Sequence, residues 1–122
     1  MLKYKFTFLT FLFSFLIIFF SVIPIQIRIT ENYNFFSLDK FLHFLTYFVY
    51  TISIYVSLFR ELSFKNPKLR SMVISFLVGF ILELIQGCFL THRSFEILDI
   101  FSNCTGILTF VFVSKTIKKV IA

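Results

Sequence analysis

Residues 71–90 read SMVISFLVGFILELIQGCFL, twenty consecutive residues whose only charged side chain is Glu83 and whose only amide is Gln86. At about 1.5 Å per residue, a helix of this length spans roughly 30 Å, the thickness of a bilayer's hydrocarbon core. Only a helix satisfies all the backbone polar groups of a single lipid-exposed segment. The stretch therefore predicts a transmembrane helix with a glutamate inside it.

Three more stretches of the same kind flank it. The first runs from about Phe6 to Ile23 and stops at Pro24, the second from about Lys40 to Phe59, and the fourth from about Ile97 to Val113. The whole chain has 122 residues, 58% of them hydrophobic and 21 of them phenylalanine, with a mean hydropathy of +0.92. A soluble domain of this size cannot bury so much apolar side chain. Gly and Pro supply only five residues between them, which excludes collagen-like and linker-rich chains. The expected fold is all-α, a single-domain integral membrane four-helix bundle.

The first stretch follows Lys3 and Lys5, as a secretory signal would. Its apolar run is too long for a signal core, however, and Ser21-Val22-Ile23 lacks the small residue of a cleavage site. A retained helix is expected.

The net charge is +6, but the basic residues form no nucleic-acid-binding domain. They fall in short runs between the apolar stretches. Lys3 and Lys5, then Arg60, Lys65, Lys68 and Arg70, then Lys115, Lys118 and Lys119 make nine of the twelve. Four spans put all nine on one side, leaving Arg28, Lys40 and Arg93 on the other. The positive-inside rule then places both termini in the cytoplasm. The first outer loop, about Pro24 to Leu38, alternates Ile25, Ile27 and Ile29 with Gln26, Arg28 and Thr30, which predicts a short extended segment.

Cys88 and Cys104 match neither zinc-site nor redox spacing and are expected as buried free thiols. No spacing in the chain matches a metal or cofactor motif, and none is expected.

The polar residues are distributed unevenly. Asp39, Lys40, His43 and Tyr47 open the second span, with Asp39, His43 and Tyr47 four apart on one helix face. Glu83 and Gln86 lie in the outer half of the third. Arg93 follows that helix, and Asp99 and Asn103 begin the fourth, one turn before Gly106. Three segments thus carry polar groups to one depth. The inner half offers only hydroxyls such as Ser53 and Ser75. Because lipid penalises polar side chains, these groups are expected to face one another in a shared outward chamber.

Each also has a plainer reading. Asp39 and Asp99 suit helix N-caps or first-turn acids, and Lys40 suits a side chain reaching for the interface. Gln86 and Asn103 suit interhelical glue. Gly79, Gly87 and Gly106 suit close helix contacts. Glu83 is hardest to explain structurally, since a mid-span carboxyl needs a partner or a proton. Two helix N-termini opening outward, with Lys40 and Arg93 beside them, favour an anion. Glu83, His43, Asp39 and Asp99 have instead the chemistry to move protons or hold a metal. The two halves share a loose plan, Arg28/Glu31 and Asp39/His43 against Arg93/Glu96 and Asp99/Asn103, but the pieces are spaced differently.

Asp39-Lys40, His43 and Tyr47, then Glu83 and Gln86, then Arg93, Asp99, Asn103 and Gly106 together resemble the VanZ-like family over about residues 24–113. The resemblance implies a multi-pass protein of the bacterial inner membrane. It implies an association with low-level resistance to the glycopeptide teicoplanin, and an outward polar cluster as the functional part.

The leading functional expectation is a binding or modifying site for an anionic cell-envelope precursor or a glycopeptide. In it Lys40 and Arg93 hold the anion, and Glu83, His43 and Asp99 are the candidates for any proton chemistry. An intramembrane enzyme, a homo-oligomeric proton-coupled transporter centred on Glu83, and a structural subunit are the alternatives. The expected partners are membrane lipids rather than nucleic acid.

Overall fold

The computed structural model describes residues 3–22, 34–89 and 97–121, and the side chains of 3–21, 40–88 and 97–121. Four helices make up nearly all of these residues: α1 (Lys5–Val22), α2 (Asn34–Val56), α3 (Pro67–Phe89) and α4 (Ile97–Ile121). No strand occurs among the described residues. α2, α3 and α4 are each long and apolar enough to cross a membrane. α1 has 18 residues, about 27 Å of helix, at the short end of what a bilayer core needs.

Burial is inverted relative to a soluble protein. Phe8, Phe11, Phe15 and Phe112 are exposed, whereas Thr51, Ser71 and Ser75 are fully buried and Glu83, Gln86, Asp99 and Asn103 nearly so. Water as solvent drives apolar groups inward, while lipid leaves them outside and drives polar groups together. The molecule is an all-α membrane bundle.

The helix ends differ from the sequence expectation. α2 begins at Asn34, six residues before Lys40, so residues 34–38 are helical rather than part of an extended loop. The alternating segment at 25–30 lies outside the described residues. α3 begins at Pro67, a residue preorganised for the first helical position. α4 continues to Ile121, eight residues beyond Val113. Counting apolar residues finds the part of a helix inside lipid, but the backbone hydrogen-bond ladder runs on past the interface.

α2 and α4 pack most closely. A methyl group on Gly106 would meet the Phe44 carbonyl oxygen and lie 3.0 Å from the Phe48 nitrogen, so backbone touches backbone there. Gly79 admits Tyr47 and Asn103 side chains. Gly87 is exposed. The apolar core joins Ile17, Tyr47, Tyr50, Ile54, Leu82 and Ile107.

After Val56, α2 widens into a π-helical turn, Ser57–Glu61. It carries the Glu61 carboxylate onto the start of α1, where it accepts from the backbone N–H of Phe6 (2.7 Å) and Thr7 (2.6 Å). These are two of the donors a helix N-terminus leaves unmade, and an anion suits that end of the dipole. Arg60 donates to the Ile121 carbonyl, and Lys115 and Lys118 share a cavity wall with Lys68. Both chain ends and the loop between α2 and α3 therefore gather at one end, the basic end.

Candidate functional site

The opposite end is built by the first turns of α4, the second to fourth turns of α2 and the last turns of α3. Asp99 lies in the first turn of α4. Lys40, from α2, forms an ion pair with its Oδ1, and His43 Nε2 stands 3.6 Å from the same oxygen. The Lys40 and Asp99 side chains are only 15% and 9% exposed. A carboxylate on one helix thus faces an ammonium and an imidazole one turn apart on another. Lys40 is engaged with Asp99 rather than standing clear for an external anion.

One turn deeper, Tyr47 is buried and packs against Gly79, with Asn103 on the same glycine. Glu83 is 2% exposed and is an electrostatic neighbour of Tyr47. At sixteen residues beyond Pro67 it sits about 24 Å along α3. Gln86, next on that face, donates to the Ser21 carbonyl of α1 at 3.0 Å. Asn103 Oδ1 is a buried oxygen without a hydrogen-bond partner, a costly state for a polar atom.

A cavity of about 360 Å³ opens between α1 and α2 at this end. Its polar wall is His43, Tyr47 and Gln86, with Thr46 and Ser21. Its apolar wall includes Phe13, Ile17 and Phe20 of α1. The chamber is amphipathic, with one side able to hydrogen-bond and the other matching hydrocarbon.

Lys40, His43, Tyr47, Glu83, Gln86, Asp99 and Asn103 thus lie in one connected region drawn from α2, α3 and α4. Arg93 and the side chain of Asp39 lie outside the described residues, as do Arg28, Glu31 and Glu96. The backbone of Asp39 is in the second turn of α2, so it is no N-cap. The free N–H groups of α2 lie some six residues before Lys40, about 9 Å away, which removes that terminus from the Lys40–His43 level. Cys88 and Cys104 are free thiols, and contrary to expectation neither is buried: Cys88 is exposed and Cys104 half-buried. Among the described residues no three His, Cys, Asp or Glu side chains converge as metal ligands.

The inner half holds hydroxyls, as expected, and the structure pairs them across the helices. Thr7, Thr10 and Ser14 of α1 face Ser57, Ser53 and Tyr50 of α2, with oxygens 2.7, 2.6 and 2.7 Å apart. Thr51 and Ser75 make a fourth pair at 2.8 Å, between α2 and α3. The signal was in the sequence: hydroxyls three and four apart in α1 match a run spaced three and four in α2. Each such pair consumes its own polar groups, so the seam fastens helices. Compared with protein-family models, with curated proteins and with solved structures, the chain matches none.

Proposed function

We propose that the end of the bundle opposite the basic residues is an outward-facing site for an amphiphilic molecule of the bacterial cell envelope. Its headgroup would lie at His43, Tyr47 and Gln86 and its hydrocarbon against α1. The single observation carrying this reading is the 360 Å³ cavity, where His43, Thr46, Tyr47 and Gln86 of α2 and α3 face Phe13, Leu16, Ile17 and Phe20 of α1. The positive-inside rule orients it, since the basic end would face the cytoplasm. The Lys40–Asp99 pair lies beside His43, which lines the cavity, and Arg93 follows α3 in sequence. A lipid-linked anionic cell-wall precursor fits this chemistry. The resemblance to VanZ-like proteins adds inner-membrane location and glycopeptide tolerance as the phenotype to examine.

The test is glycopeptide tolerance of cells carrying Glu83→Ala or Arg93→Ala, with membrane levels of the protein checked by immunoblot. The reading expects lost tolerance at normal abundance. Full tolerance in both variants would end it.

A second reading, an intramembrane acid–base enzyme, is favoured by Asp99 standing 3.6 Å from His43 at the cavity wall. A carboxylate beside an imidazole orients the ring for proton transfer. Turnover of an extracted envelope lipid that disappears in His43→Gln while binding persists would separate this reading from the first.

A further inference from the structure

The basic end holds a second cavity, of about 660 Å³, between the start of α3, the end of α4 and the α2 floor. Its rim carries Lys68, Lys115 and Lys118, and its deeper lining is Tyr55, Phe59 and Met72. Lys118 Nζ stands 6.0 Å above the Phe59 ring, which holds that charge over the opening. Among the described residues no carboxylate lines the cavity. Glu61, the nearest acid along the chain, is turned to the Phe6 and Thr7 amides. Among the described residues no ion pair joins these three lysines to an acid.

Three lysines lining one cavity, with no acid among the described residues beside them, call for an anion. Their depth identifies which one. Lys68 lies in the first turn of α3 and Lys115 and Lys118 in the last two turns of α4, the helix ends that would meet lipid headgroups, while Met72 lies one turn deeper in α3 and Tyr55 packs on Phe110, more than a turn deeper in α4. A soluble anion would satisfy the rim and leave the aromatic floor wet. A phospholipid satisfies both, with its phosphate among the lysines and an acyl chain against the floor. We propose that this cavity is a specific site for an anionic phospholipid of the leaflet at the basic end. It does not depend on the reading of the opposite end.

The chain contains no tryptophan, so a Leu69→Trp variant places one fluorophore at the cavity wall. The full chain carrying it is reconstituted in phosphatidylcholine nanodiscs and titrated with brominated phosphatidylglycerol or brominated phosphatidylcholine, whose bromines quench on contact. The expected result is quenching by the anionic lipid at a mole fraction at least about tenfold lower, given that each lysine near the surface multiplies anionic-lipid affinity severalfold. Lys68→Gln/Lys115→Gln/Lys118→Gln should abolish the preference, and Lys3→Gln/Lys65→Gln/Lys119→Gln, with the same charge loss, should keep it. If the first triple variant fails to insert, Lys115→Gln and Lys118→Gln alone must each weaken the preference. Equal quenching by both lipids would overturn the proposal, as would equal loss in the two triple variants. Displacement of the anionic lipid by millimolar inorganic phosphate would overturn it in favour of a soluble-anion site.

Discussion

Breaking the Lys40–Asp99 pair separates a built site from a chance surface contact. An exposed ion pair contributes about 0–1 kcal/mol. Here the two side chains are 15% and 9% exposed, so water screens little of the attraction. A hydrogen bond between charged groups in such surroundings contributes about 1.5–3 kcal/mol net. His43, at 3.6 Å from the same oxygen, shares the carboxylate and holds the value within that range rather than above it. The measurement is a double-mutant cycle of Lys40→Met, Asp99→Asn and the double variant, by reversible unfolding in mixed micelles. The predicted coupling is about 2 kcal/mol, some thirtyfold in the folding equilibrium. Lys40→Met alone should destabilise, because it leaves Asp99 buried with less positive charge beside it. A coupling under about 0.5 kcal/mol would refute the claim that α2 and α4 meet through a desolvated ion pair.

Gly106→Ala should destabilise by about 1–3 kcal/mol, since the added methyl meets Phe44 and Phe48 backbone that cannot rotate away. Gly79→Ala should cost less, because its neighbours there are the Tyr47 and Asn103 side chains; the same micellar titration compares them. Thr10→Val and Ser14→Ala should each lose about 0.6 kcal/mol, the average found for interhelical polar contacts in membranes, with little effect on the site end. Glu61→Gln should speed hydrogen exchange at the Phe6 and Thr7 amides relative to the rest of α1; unchanged protection would mean the carboxylate does not hold that helix start.

The sequence carried the membrane class and the end of the bundle, opposite the basic runs, at which the polar residues meet, because lipid imposes one rule on every residue. Glu83 in the middle of an apolar run had to turn inward, and it is buried beside Tyr47. The match of Asp99 with Lys40 was beyond reach, because the partner depends on how α2 and α4 slide past each other, which the Gly106 contact fixes. The α1 hydroxyls were legible but unread: Thr7, Thr10 and Ser14 look incidental among phenylalanines until their spacing is set against Tyr50, Ser53 and Ser57. The start of α2 was hidden because Asn34–Leu38 mixes apolar and polar residues without a clear capping signature.

Water access to the chamber is the most direct measurement. In a Cys88→Ser/Cys104→Ser background, single cysteines replace His43 and Gln86 at the cavity wall and Leu45 and Leu84 on the exposed apolar faces. A thiol reagent that reacts only in water and cannot cross the membrane is then applied from each side. Labelling at positions 43 and 86 from the side opposite the termini, with 45 and 84 silent, is the predicted pattern. Silence at 43 and 86, or labelling of them from the side of the termini, would contradict a polar chamber open at that end.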